Sequence, residues 1–228
     1  MQKVARAAIR RLSLGPGVPV IIDVDDATLR EALESLLGSA GAEIVDAGPA
    51  RGAVVEVPDL AGALVPERVQ AAVTALDPGG VLVVIARAGA TGRSVEALAE
   101  HWRPCLGLAR AHGEPVEGVV LLSGPRRAAL SGAERKRLRG LAHAIEPSVL
   151  VGKSGLTDDV VEAARAAVER HGLIKVKLTP QAVVDKHAAA REIAFATGAE
   201  LVQQIGKTAL IFRPDVPLEP PVKRSGRR

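Results

Sequence analysis

The spacing of apolar and polar positions changes period several times along the chain, and each change marks an element. MQKVARAAIRRL puts its apolar residues on one helical face and its basic residues off it, which predicts a short amphipathic helix. VPVIIDV reads as a buried strand, ATLREALESLLGSAG as a helix with Leu29, Leu33, Leu36 and Leu37 on one face, and AEIVDA and GAVVEV as further strands. PERVQAAVTAL opens a helix at Pro66, GGVLVVIA is a strand and SVEALAEHW a helix. LGLARA and EGVVLLSG then predict a hairpin turning across HGEP. Strands alternating with helices in this way call for a mostly parallel sheet with helices packed on it.

The pattern resets after Ser123, Gly124 and Pro125. Ser131 and Glu134 have capping-box spacing, and the helix they open carries Leu138, Leu141 and Ala142 on one face. Arg135, Lys136 and Arg139 fall largely on the other face. Val149, Leu150 and Val151 predict a strand, and Thr157 with Asp158 and Asp159 suits the start of a helix with Val160, Val161, Ala164 and Val168 inward. LIKVKLT alternates, Ile174, Val176 and Leu178 against Lys175 and Lys177. A third helix, DKHAAAREIAFATG, precedes a hairpin AELVQQIGKTALIFRP turning at Gly206 and Lys207. The expected domains are 1–125 and 126–214. Residues 215–228, proline-rich and basic, are expected to be a disordered tail.

Composition narrows the function classes. A chain of 228 residues is comfortable for two domains, and its 47% apolar share is mostly Ala, Val, Leu and Ile. The aromatic residues are Trp102, Phe195 and Phe212, so stacking on aromatic platforms is not expected to be the main mode of nucleic-acid binding. Cys105 is the single cysteine, which excludes an intrachain disulfide and a cysteine zinc cluster and suits a reducing cytoplasm. No apolar run reaches membrane-spanning length, and no signal-peptide core follows the basic start, so no membrane partner is expected. Met1 to Pro125 holds 11 basic and 15 acidic side chains, a net of −4, and Arg126 to Arg228 holds 19 and 11, a net of +8. Such a contrast implies that a polyanion meets the second half.

Between the strand at Val149–Val151 and the helix after Thr157 stands Gly152-Lys153-Ser154-Gly155. Glycines at both ends permit positive φ and remove bulk, so a sugar-phosphate chain can approach the backbone of Lys153 and Ser154. The same spacing also suits an ordinary strand-to-helix turn. It is not a nucleotide-binding P-loop, because Pro147 stands where that motif needs its first glycine, and Asp158 and Asp159 would oppose a triphosphate. From Leu130 to Pro214 the chain resembles the YhbY family of small bacterial RNA-binding proteins, the stand-alone form of the CRM domain. RLRGLAHAIEPSVLVGKSGLTDDVV, HGLIKVKLT and ATGAELVQQIGKTALIFRP carry the resemblance, in order and at the right spacing. It implies an α-β-α-β-α-β-β fold like the C-terminal domain of bacterial translation initiation factor three. It also implies RNA as partner, namely rRNA of the precursor large ribosomal subunit. The expected RNA-binding residues are Gly152, Lys153, Ser154, Gly155, Arg135, Lys136, Arg139, Lys175, Lys177 and Lys207.

The first half is expected to be Rossmann-like, and two families compete for it. IIDVDDATLREALESLLGSAGAEIVDAG resembles a response-regulator receiver with Asp25 and Asp26 as its acidic pair. Glu56 stands in place of the phosphorylated aspartate, and Gly124 in place of the lysine. VPDLAGALVPERVQAAVTALDPGGVLVV, followed by helix and hairpin, resembles the back half of S-adenosylmethionine-dependent methyltransferases. Asp25 and Asp26 occupy the place of the glycine-rich cofactor loop, and Asp46 would be the ribose-binding acid. Asp23, Asp25 or Asp26 and Glu56 supply oxygens of the kind that hold magnesium, but acids near a helix start are ordinarily caps. The expectation is no cofactor, no metal and no enzyme: a silent domain that meets a protein partner. The alternatives are an RNA methyltransferase delivered by the second domain, and a receiver with an RNA-binding output.

Overall fold

The computed structural model describes residues 1–12, 14–58, 65–87 and 94–218, and the chain divides into two compact units, Met1–Ala128 and Ala129–Arg228. In the first unit the order is α1 (Gln2–Arg11), β1 (Pro19–Asp23), α2 (Ala27–Ser39), β2 (Glu43–Ile44), β3 (Ala50–Val57), α3 (Glu67–Ala75) and β4 (Leu76–Arg87). Then follow α4 (Val95–Trp102), β5 (His112–Val116) and β6 (Val119–Pro125). The sheet order is β2-β1-β3-β4-β6-β5; β2, β1, β3 and β4 run parallel, β6 antiparallel to β4, and β5 antiparallel to β6. The apolar stripes of α1 and α2 meet Val20, Ile22, Val54, Val83 and Ile85 on one face of the sheet. Alternation turns Ile21, Val55 and Val84 to the other face. There α3 packs along β3 and β4.

This Rossmann-like sheet settles the choice between the two resemblances by topology. A receiver has parallel strands in the order 2-1-3-4-5, whereas here an antiparallel strand is inserted between β4 and β5. A closing hairpin is what the methyltransferase-like segment implied. That hairpin differs from the expected one, because HGEP lies inside β5 and the turn is Glu117-Gly118, both at positive φ (47° and 83°) as a two-residue hairpin requires. Pro115 is tolerated because β5 is an edge strand. LGLARA is not a strand; Leu108 makes one isolated bridge to Arg126. The second strand is also shorter than AEIVDA, and Asp46 lies beyond it in an exposed bend. Residues 59–64 of the methyltransferase-like segment lie outside the described residues.

The division falls three residues past the expected 125/126 boundary. Arg126 N–H donates to the Gly80 carbonyl (2.7 Å) and Arg127 N–H to that of Gly107 (2.8 Å), so both arginines belong to the first unit. The first unit then holds 13 basic and 15 acidic side chains, a net of −2, and the second 17 and 11, a net of +6.

The second unit runs α5 (Gly132–Ala142), β7 (Pro147–Val151), α6 (Asp158–His171), β8 (Leu173–Leu178), α7 (Lys186–Ala196), β9 (Glu200–Ile205) and β10 (Thr208–Phe212). This is the α-β-α-β-α-β-β order. Its sheet, β7-β8-β10-β9, pairs β7 with β8 in parallel and the rest antiparallel. On one face Val149, Val151, Ile174, Val176 and Ile211 pack against Ala164 and Val168 of α6 and Ile193 of α7. On the other, Leu138 and Ala142 of α5 pack against Leu173, Val202, Leu210 and Phe212. The start of the expected disordered tail is part of this unit. Leu218 joins the second cluster, and Arg213 bridges Glu169 (2.9 Å) and Asp215 (3.2 Å). Residues 219–228 lie outside the described residues.

Candidate nucleic-acid interface

β7 buries Val149 and Val151 and turns Leu150 outward, as alternation demands. Gly152 ends the strand, and a tight turn follows in which Gly155 N–H donates to the Gly152 carbonyl (3.1 Å). The two glycines do different work. Gly155 sits at φ +72° with Val184 3.0 Å from where a Cβ would be, whereas Gly152 is not at positive φ and has open space there. Lys153 and Ser154 form the exposed tip. Thr157 then caps α6, its hydroxyl accepting from Val160 N–H (3.4 Å).

Backbone hydrogen bonds gather three loops at this end of the sheet. Thr179 N–H donates to the Val151 carbonyl (2.9 Å), and Leu178 N–H to that of Lys207 (2.8 Å). Lys207 Nζ donates to the Pro180 carbonyl at 3.5 Å. The structure therefore brings Gly152–Gly155, Lys177 and Lys207 together, with Lys175 two residues back along β8 on the same face. Among the described residues, Lys153, Lys175 and Lys177 show no ion pair. Asp158 and Asp159, exposed in the first turn of α6, compensate that helix end themselves, so the positive field here comes from lysines rather than a bare helix terminus. At the start of α7, Asp185 is held below the usual carboxylate range by the N–H groups of Ala188 and His187.

The α5 residues stand elsewhere on this face. α5 packs over Leu173, the first residue of β8, four residues from Lys177 and so ~13 Å along the strand. Arg135 is committed to the fold: its guanidinium donates to the carbonyls of Leu201 (2.7 Å) and Val202 (3.2 Å) and faces Glu200 at 4.0 Å. Lys136 and Arg139 are exposed on α5, away from the loop. Sequence reasoning missed the apolar part of the surface. Leu150 is 60% exposed, Ile205 68% and Val183 80%, all at the glycine-loop end. For Leu150 the signal was present, since it alternates with two core valines.

The first unit has its own charged cluster, at the C-terminal edge of the parallel strands where such sheets bind ligands. Arg68 donates to both Asp23 oxygens (2.6 and 3.2 Å), both Asp25 oxygens (2.6 and 3.0 Å) and the Glu56 carbonyl (2.9 Å). The Glu56 carboxylate accepts from the N–H groups of Asp25 (2.9 Å) and Asp26 (3.0 Å), and Asp26 caps α2 through Leu29 N–H (2.8 Å). Hydrogen bonding to Arg68 holds Asp25 below the usual carboxylate range, and the same bonds hold Arg68 above the usual guanidinium range. Arg68 thus occupies the place that the acids suggested for magnesium. Among the described residues no group of three or more His, Cys, Asp or Glu is arranged to hold a metal ion, and no helix is long and apolar enough to cross a membrane.

Comparison with known proteins places a family model, the CRS1 / YhbY (CRM) domain, on residues 130–213. A Pseudomonas aeruginosa protein named Probable RNA-binding protein PA4753 is 35% identical over 85 residues, covering 37% of this chain and 82% of its own. A Haemophilus influenzae protein named RNA-binding protein is 36% identical over 85 residues, covering 37% of this chain and 86% of its own. Among solved structures, the precorrin-6y C5,15-methyltransferase of Geobacter metallireducens overlaps 55% of this chain and 88% of its own, at 10% identity and a TM-score of 0.34.

Proposed function

Because the chain belongs to the CRS1 / YhbY (CRM) domain family through residues 130–213, we propose that it is a cytoplasmic RNA-binding protein acting on rRNA of the precursor large ribosomal subunit. The RNA backbone lies against the Gly152–Gly155 turn, with Lys153, Lys177 and Lys207 pairing its phosphates and Lys175 close behind. Lys136 and Arg139 extend the field toward α5, while Arg135 serves the fold. The observation that carries this reading is the convergence, at one end of the sheet, of the glycine turn and lysines that show no ion pair among the described residues. Phosphate contacts of this kind give affinity and position with little reading of sequence. In a sucrose gradient of cell extract the chain should sediment with large-subunit precursors. Its confinement to the top of the gradient, or to small-subunit fractions, overturns the ribosomal assignment.

The first unit is read as a protein-binding scaffold. The backbone amides of Asp25 and Asp26, just before α2, where a cofactor enzyme would face its ligand, are already taken by Glu56. Equilibrium dialysis with labelled S-adenosylmethionine tests this. Saturable binding by the full chain would replace the scaffold with an RNA methyltransferase delivered by the second unit.

A further inference from the structure

We infer that the RNA is single-stranded where it meets the second unit, its unpaired bases lying on an open strip of sheet. The inference rests on the RNA-binding reading above and specifies its substrate. Leu150, Lys177, Thr208 and Ile205 are successive cross-strand partners over all four strands, so their side chains share one face. At the usual strand spacing the row is ~14 Å long, room for about four stacked bases at ~3.4 Å each. α5 covers the other end of this face, and in the row itself Lys177 is exposed and Thr208 half-buried. Leu150 and Ile205, at the two ends, are 60% and 68% exposed although their strands are otherwise anchored in the core.

The mixture of side chains selects the ligand. No acid stands in the row, and its central lysine suits a polyanion. The flanking Leu150 and Ile205 suit something flat and apolar. A duplex presents phosphates and sugars outward and hides its base faces in the stack, so these two side chains would meet a charged rail and gain nothing. An unpaired strand exposes base faces, and burying aliphatic surface against them is favourable. The aromatic residues do not supply this platform, since Phe212 lies under α5 and Phe195 belongs to α7. The strip is continuous with the Gly152–Gly155 turn, two residues beyond Leu150 on β7, so one strand can place its phosphates on the turn and its bases on the row.

The test uses the full chain with a short oligouridylate and with a fully paired RNA duplex of equal length. The single strand should bind at least about tenfold tighter, and the double variant Leu150→Ser/Ile205→Ser should lose about tenfold toward it while keeping its duplex affinity and salt slope. Both positions are exposed, and an unchanged thermal midpoint verifies that the variant folds. Equal affinity of the parent for both RNAs overturns the inference, as does a variant that keeps its preference. Loss of the variant from precursor-subunit fractions with unchanged oligouridylate binding also overturns it, in favour of a protein partner. Failure of either RNA to bind the parent would instead sink the RNA-binding reading on which the inference stands.

Discussion

The two units each gather charged side chains where loops meet the end of a sheet, and they treat them in opposite ways. In the first, Arg68 is hydrogen-bonded to Asp23, Asp25 and the Glu56 carbonyl, and the Glu56 carboxylate to nearby amides, so the cluster is consumed in holding β1, β3 and α3 together. In the second, Lys153 and Lys177 stand exposed without ion pairs among the described residues, beside the largely exposed Leu150 and Val183. Charges satisfied internally stabilise a fold and have little left for a ligand. Unpaired charges of one sign repel one another and gain when a polyanion arrives. The closed cluster therefore predicts a structural role and the open one a binding role.

The most direct way to break this comparison is to separate the units. Ala129–Arg228 should keep RNA affinity within about threefold of the full chain, and Met1–Ala128 should show none at moderate salt. Gel-shift titration decides it, and equal binding by the two fragments would sink the assignment. Of the +6 on the second unit, +3 belongs to residues 219–228, which hold four basic and one acidic side chain. A fragment ending at Leu218 should therefore bind more weakly and with a shallower salt slope, while keeping whatever discrimination the folded surface provides.

Next in size is the glycine turn. Gly155→Asp puts a side chain at φ +72° against Val184 and a negative charge beside the proposed RNA path. It should weaken binding about tenfold or more and cost ~1–3 kcal/mol of stability. Gly152→Ala meets open space without positive φ, so its stability should be unchanged, and any loss of RNA affinity reports close backbone approach alone. Should Gly155→Asp fold normally and bind RNA as tightly as the parent, the turn is only a connection between β7 and α6.

Much of this was legible in the sequence where the signal is local. Ser131 with Glu134, Thr157, the alternation in LIKVKLT and the turn at Gly206-Lys207 each act through residues a few positions apart, and each appears as expected. What was hidden depends on distant partners. That Arg135 would be captured by carbonyls of β9, or Arg68 by two aspartates before α2, follows from the assembled sheets and from nothing near either arginine. Leu150 illustrates the boundary. Alternation says that it points away from Val149 and Val151, but whether that face is covered depends on where α5 lands. The misplaced hairpin has a similar cause: Pro115 and the glycine before it suggested a turn, and only the edge position of β5 makes them acceptable in a strand.

A smaller effect separates charge from shape within the second unit. Lys153→Ala should weaken RNA binding about two- to fourfold and lower the salt slope by about one unit of counterion release. Measured across a salt series, an unchanged slope would show that Lys153 faces solvent in the complex.

The last effect concerns the closed cluster and carries a definite sign in pH. Arg68→Met removes the guanidinium that bridges Asp23 and Asp25, and should lower the thermal midpoint of the first unit by about 3–6 °C at neutral pH without changing RNA affinity. Hydrogen bonding to Arg68 holds the Asp25 carboxyl below its ordinary 3.8 in the folded chain. A depressed folded pKa means that the unfolded state takes up the proton first. The contribution is therefore fully present above the ordinary value and is lost as pH falls through the folded one. The midpoint difference between parent and Arg68→Met should accordingly stay constant from neutral pH down to about 5 and shrink below about 4. Differential scanning calorimetry at several pH values reads this directly. A difference that persists undiminished in acid would assign the role of Arg68 to its bond with the Glu56 carbonyl, which does not titrate, rather than to Asp25.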